Sequence, residues 1–158
     1  MDPKEQIQAF YQAFHARKAE EMVSHYHKDI VFSDPGFGTL KGEEAGNMWR
    51  MLISQMKPDS TIEVSNIQVD GNRATADWVA TYKFGPKNRQ VVNRIQATFL
   101  LEEGKIIKHD DVFSFWKWSS QALGLPGMLL GWTSFLQKKV QATTTKRLAV
   151  FSAKRGIS

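Results

Sequence analysis

Cysteine is absent from the 158 residues, which excludes a disulfide framework and any zinc site built on thiolates. A reducing compartment is thereby allowed, and the cytoplasm is the expected location. The opening MDPKEQIQAF is polar and carries no apolar signal core. The one long uncharged run, the twenty residues from Trp118 to Gln137, is interrupted by Pro126, three glycines and several hydroxyl or amide side chains. No membrane span is expected from it. There is no phosphate-cradling glycine loop, no G-x-S-x-G and no H-E-x-x-H. His25, His27 and Asp29 are spaced two apart at a helix end, where side chains diverge, so neither a metal nor another cofactor is expected.

What remains is an aromatic, charge-segregated chain. Apolar residues make up 42% and charged residues 23%, which reads as globular. The 5 Trp and 10 Phe either fill a core or line a cavity. Residues 1–111 hold 14 basic and 16 acidic side chains, whereas residues 112–158 hold seven basic side chains and no acid. The basic tail reads as a solvated face, or as one packed against the acidic body. Nucleic acid is not an expected partner.

The first helix is announced by Asp2 as cap, Pro3 and Glu5, followed by an apolar face of Ile7, Phe10, Tyr11 and Phe14. Ala19, Met22, Val23 and Tyr26 predict a second short helix. Ile30–Asp34 reads as a short strand ending in a Pro35, Gly36 and Gly38 loop, and a third helix is predicted from about Glu43 to Gln55. Then come predicted strands at Thr61–Val69, Arg73–Phe84, Gln90–Leu101 and Lys105–Trp116, joined by short turns in a meander. Leu125-Pro126-Gly127 breaks the chain, and a last helix is predicted from near Ser134 to about Ala153. The fold class is therefore α+β. A curved antiparallel (mixed) sheet covered by three N-terminal helices and followed by a helical C-terminal extension is expected. The domain spans 1–116 and the extension 117–158.

Candidate site residues follow from strand parity. Ile30, Phe32 and Asp34 share one face, which carries Asp34 toward the interior at the strand end. A carboxylate in an apolar hollow is desolvated and becomes a usable base near neutral pH. The same Asp34 also reads as the start of a Pro-Gly turn. On the last predicted strand His109, Asp111, Phe113 and Phe115 share a face, pairing an imidazole with a carboxylate beside two rings. Trp78 and Tyr82 alternate with small residues, as a concave wall would. Gln96, if inward, would present an amide to a substrate oxygen.

The run Phe10-Tyr11-Gln12-Ala13-Phe14, then Asp29-Ile30-Val31-Phe32-Ser33-Asp34-Pro35, Gly38 and Lys41-Gly42-Glu43, resembles the opening of the SnoaL-like polyketide cyclase and ketosteroid isomerase group. Glu103 to Asp111 resembles that group's closing strand. The resemblance spans residues 4–116 and implies the nuclear-transport-factor-2-like cone, dimeric assembly and a pocket at the cone mouth. It also implies that Asp34 moves a proton on the substrate. The oxyanion donors of ketosteroid isomerase, a Tyr and a protonated Asp, fall at Phe10 and Gln96, with Tyr11 one residue away. Catalytic candidates are thus Asp34, His109 and Asp111. Ligand-binding candidates are Phe10, Phe14, Phe32, Trp78, Tyr82, Gln96, Phe113 and Phe115. The expected ligand is small and apolar or carbonyl-containing.

Two readings of function remain. One is an acid–base isomerase, cyclase or hydratase that works without a cofactor next to a carbonyl. The other is a ligand-binding or protein-interaction module of the same fold that does no chemistry. The apolar side chains between Trp116 and Phe135 are expected to cap the pocket or extend a homodimer interface.

Overall fold

The computed structural model describes residues 1–157. Three helices open the chain: α1 (Pro3–His15), α2 (Ala19–Val23) and, after two strands, α3 (Glu43–Gln55). The start of α1 is fixed by a reciprocal capping box, with Glu5 N–H donating to Asp2 Oδ1 at 2.8 Å and Asp2 N–H to Glu5 Oε2 at 3.2 Å. The strands are β1 (Tyr26–Asp34), β2 (Gly38–Lys41), β3 (Thr61–Asp70), β4 (Arg73–Phe84), β5 (Arg89–Glu102) and β6 (Lys105–Val112). They form one six-stranded sheet in the order β2-β1-β6-β5-β4-β3. The β1–β6 pair is parallel and every other pair antiparallel, so the sheet is mixed.

One face of the sheet carries the core. Ala74, Ala76, Trp78 and Ala80 of β4 alternate inward, as do Ile95, Ala97 and Phe99 of β5, against Ile7, Phe10 and Phe14 of α1 and Met48 and Trp49 of α3. Small residues on β4 leave room for the rings opposite. The register slips between Ser65 and Gln68 of β3, with Asn66 at φ +54°, and such a bulge bends a strand.

Four expectations need correction. β1 begins at Tyr26, so Tyr26 lies on a strand rather than on the second helix. Residues 38–41 form a strand that pairs with the end of β1, Asp34 opposite Gly38, rather than continuing the loop. β6 stops at Val112, and Phe115 and Trp116 open a helix, α4 (Phe115–Leu123), capped by Ser114 Oγ accepting from Lys117 N–H. A short helix, α5 (Leu125–Leu130), follows, and α6 (Ser134–Ile157) outruns its predicted end. α4 packs on β5, and α6 packs on α3.

Candidate active site

A cavity of about 420 Å³ opens between α3, β4 and β5, the end of β1, and helices α4 and α6. Its walls are mostly apolar, with Phe14, Trp49, Trp78, Phe113 and Trp118 among them, and two carboxylates, Asp34 and Asp111, face into it.

Asp34 is the last residue of β1. Its Oδ1 accepts the backbone N–H groups of Gly36 at 2.9 Å and Phe37 at 2.6 Å, while Oδ2 takes no hydrogen bond from the described residues. Burial is the main cause that pushes its pKa from the ordinary 3.8 up to about 7, with the charge of Asp111 adding to it. The Phe37 and Gly36 amides and His109 oppose the shift only in part. The loop that makes this turn is held from outside the first 116 residues. Gln137 and Gln141 of α6 donate to the Pro35 carbonyl at 3.3 and 3.1 Å, and Thr144 Oγ1 donates to the Gly36 carbonyl at 2.8 Å. These three sit at i, i+4 and i+7, one face of a helix.

Asp111 sits at the end of a buried relay. Trp49 Nε1–H donates to Tyr26 Oη at 2.7 Å, and Tyr26 Oη lies 2.7 Å from His109 Nδ1. His109 Nε2 lies 2.9 Å from Asp111 Oδ1, which also accepts from Trp78 Nε1 at 3.4 Å. The Tyr26 oxygen thus joins the Trp49 indole to His109, and the His109 ring joins Tyr26 to Asp111. Asp111 Oδ1 is thus engaged by both His109 and Trp78, while its Oδ2 takes no hydrogen bond from the described residues. His109 itself is fully buried, tilted against Phe99 at 4.4 Å and stacked on Trp49 at 6.0 Å, and does not reach the cavity.

Two neutral donors also line the cavity. Tyr82 Oη accepts from Trp118 Nε1 at 2.8 Å, which leaves its own proton without an acceptor among the described residues. Burial raises its pKa, the Trp118 hydrogen bond opposes this and the nearby Asp34 charge adds to it, so the phenol stays protonated. Asn93 is the single polar side chain in the inward set of β5, and it makes no side-chain hydrogen bond among the described residues.

The structure sorts the remaining sequence candidates. Phe14, Trp78, Tyr82 and Phe113 line the cavity. Phe10 and Phe32 do not: both are fully buried core rings, edge-on to Trp49 at 6.2 and 5.6 Å. Phe115 is buried on α4 against Trp118 and does not line the cavity, because β6 ends before it. Gln96 projects from the exposed face of β5; the inward parity runs through Val91, Asn93, Ile95, Ala97 and Phe99. That parity was the signal for Asn93. Tyr11 is buried beside Trp78 and Phe99, and its hydroxyl has no hydrogen-bond partner among the described residues. Of the tail, Trp118, Val140, Thr144 and Arg147 line the cavity, but Trp116, Leu125, Met128, Leu129, Trp132 and Phe135 are exposed rather than capping it. Among the described residues no cluster of three His, Cys, Asp or Glu could hold a metal, and no helix is long and apolar enough to cross a membrane.

A family model described as a SnoaL-like domain matches residues 7–109. No curated protein matches the chain. Among solved structures, a hypothetical protein with a ketosteroid isomerase-like fold from Catenulispora acidiphila, in complex with trimethylamine, is similar at 18% identity and a TM-score of 0.66, covering 82% of this chain and 97% of that one. Wild-type IdmH from Streptomyces antibioticus, a candidate polyketide cyclase, is similar at 20% identity and a TM-score of 0.65, covering 79% and 100%. An epoxide hydrolase of M. tuberculosis, of the LEH-like type, is similar at 21% identity and a TM-score of 0.59, covering 81% and 95%. At these identities the likeness is one of fold.

Proposed function

Because this chain belongs to the SnoaL-like domain family, we propose that its cavity performs acid–base chemistry next to a carbonyl on an apolar substrate, as an isomerase or cyclase. The observation that carries this reading is the unequal pair of carboxylates in one apolar cavity. Asp34 is pushed up to about 7 by burial and faces the cavity beside Asp111, which is hydrogen-bonded to His109.

Asp34 takes the proton from a carbon next to the carbonyl through its free Oδ2. Its raised pKa makes it a stronger base than an exposed carboxylate while leaving it half ionised near neutrality. Electron density moves onto the carbonyl oxygen, where Tyr82 O–H and Asn93 Nδ2–H serve as donors in a poorly hydrated site. The enolate then either recovers the proton from Asp34 at another carbon, or forms a carbon–carbon bond to a second carbonyl whose oxygen takes that proton. Asp111 raises the basicity of Asp34 through its charge and holds a substrate hydroxyl at its own free oxygen. His109 and Tyr26 are positioning residues, since neither reaches the cavity. Exposed Lys57, Lys83 and Arg147 at the rim suit a substrate with a polar or anionic trailing end.

Deuterium wash-in at the acidic carbon of hydrophobic enolisable ketones tests the reading without the natural substrate. Exchange should rise with pH through about 7 as Asp34 ionises and vanish in Asp34→Asn. Asn93→Ala and Tyr82→Phe should each slow it by about 10²-fold, the usual effect of losing one oxyanion donor. Tight ligand binding that Asp34→Asn leaves unchanged, with no exchange in the wild type, would instead identify a binding module in which Asp34 serves its turn alone.

A further inference from the structure

We propose that the corner formed by α4, α5 and the start of α6 is a docking surface for an anionic lipid bilayer. This inference stands apart from the chemistry assigned to the cavity. Leu125, Met128, Leu129, Trp132 and Phe135 all project into solvent there, with Leu129 60%, Phe135 68% and Trp132 76% exposed. Single exposed apolar residues are ordinary, but so many large ones within eleven residues, 125–135, form a patch that needs a partner.

The patch is built rather than frayed. Ser119 is fully buried where α5 crosses α4, and a Cβ on Gly127 would overlap the Ser119 carbonyl, while one on Gly131 would overlap its hydroxyl. That close backbone seating fixes one side of α5 inward and leaves its leucines and methionine outward. Trp116 Nε1 donates to the Met128 carbonyl at 3.0 Å, and Trp132 Nε1 to the Leu129 carbonyl at 2.9 Å. The two indoles thus tie down backbone while their rings stay exposed, as rings at a water–lipid boundary do.

Charge selects the occupant. Residues 112–158 carry seven cations and no acid. Lys138 and Lys139 are exposed three and four residues after Phe135, so on α6 they flank that ring, and exposed Lys117 adjoins Trp116. A second copy docking here about a two-fold axis would bring together two copies of a patch that carries cations and no acid. A bilayer with anionic headgroups takes up both parts, the apolar knob in its upper acyl region and the lysines at phosphate level. Trp118 of α4 and Val140 of α6 also wall the cavity, so docking would bring its wall close to the phase in which an apolar ligand dissolves.

Vesicle co-sedimentation of the full-length protein tests the proposal. The protein should pellet with vesicles of equal parts phosphatidylcholine and phosphatidylglycerol, stay in solution with pure phosphatidylcholine, and detach as salt is raised. Lys138→Gln and Lys139→Gln should each weaken binding about fivefold. Leu129→Asp should weaken it by about tenfold or more, with an unchanged circular dichroism spectrum because the side chain is exposed. Emission of Trp132 should shift to the blue on the anionic vesicles, a change lost in Trp132→Phe. No pelleting with anionic vesicles, or pelleting that Leu129→Asp and the lysine variants do not affect, overturns the proposal. So does a lipid-free dimer in sedimentation equilibrium that Leu129→Asp dissociates, which would assign the face to a second copy.

Discussion

Asp34 carries a cost that its proposed role explains. Its pKa is raised in the folded chain, so the native state holds the proton more tightly than the unfolded one. The contribution to stability is full below the ordinary 3.8 and is lost as pH climbs through about 7. A gap of roughly three pH units has a ceiling of about 4 kcal/mol. Urea titrations at pH 4 and pH 8 should show wild-type stability falling relative to that of Asp34→Asn by an amount approaching that ceiling, with Asp34→Asn the more stable protein at pH 8. Tyr11 makes the opposite case. Its hydroxyl is buried without a partner among the described residues and does not line the cavity. Tyr11→Phe should therefore keep activity and raise stability by about 1 kcal/mol, since it removes an unmet polar group without opening space. Tyr26→Phe, by contrast, strands both Trp49 Nε1 and His109 Nδ1. It should cost about 1–3 kcal/mol by the same reasoning and slow turnover through a misplaced Asp111.

At the scale of elements, turn chemistry and parity made most of the sheet readable. Asp70-Gly71 and Glu103-Gly104 mark the hairpins where β3 meets β4 and β5 meets β6, with Gly71 and Gly104 at φ +61° and +73°. The end of β6 was not readable, because Phe113 and Phe115 continue the alternation of His109 and Asp111. Only the Ser114 cap marks the switch to a helix. α5 depends on close backbone contact that no hydropathy pattern displays. Gly127→Ala should separate α5 from α4, lower the thermal midpoint by an amount matching about 1–3 kcal/mol or more, and increase dye binding to exposed apolar surface. β2 was hidden because four residues with two polar side chains read as loop, and its pairing comes from β1.

For the molecule as a whole, the helical extension helps to build the cavity, with Val140, Thr144 and Arg147 among its walls. Leu148 is buried in the core, Phe151 packs against it, and Asn47 of α3 donates to Ser152. Gln137, Gln141 and Thr144 then reach the loop that aims Asp34. A chain ending at residue 133 should melt at a lower temperature and lose ketone exchange together, because it loses both core contacts and the clamp on Pro35 and Gly36. The charge is unequal along the chain, net negative to residue 111 and wholly positive after it, and α6 brings the positive stretch onto α3 of the acidic body.

The amino-acid order alone determined the class of fold, the run of helices and hairpins, and the two carboxylates that share the cavity, since capping, turn and parity signals act within a few residues. It did not determine which rings are wall and which are core. Phe10 shares a helix face with cavity-lining Phe14, and Phe32 shares a strand face with cavity-lining Asp34, so only the closing of the sheet against α3 sets them apart. Nor did it show that Asn93 takes the inward place expected of Gln96, or that α6, more than a hundred residues later, holds the Asp34 loop. Those contacts lie between segments far apart in the chain, and proximity of that kind exists only once the chain has folded.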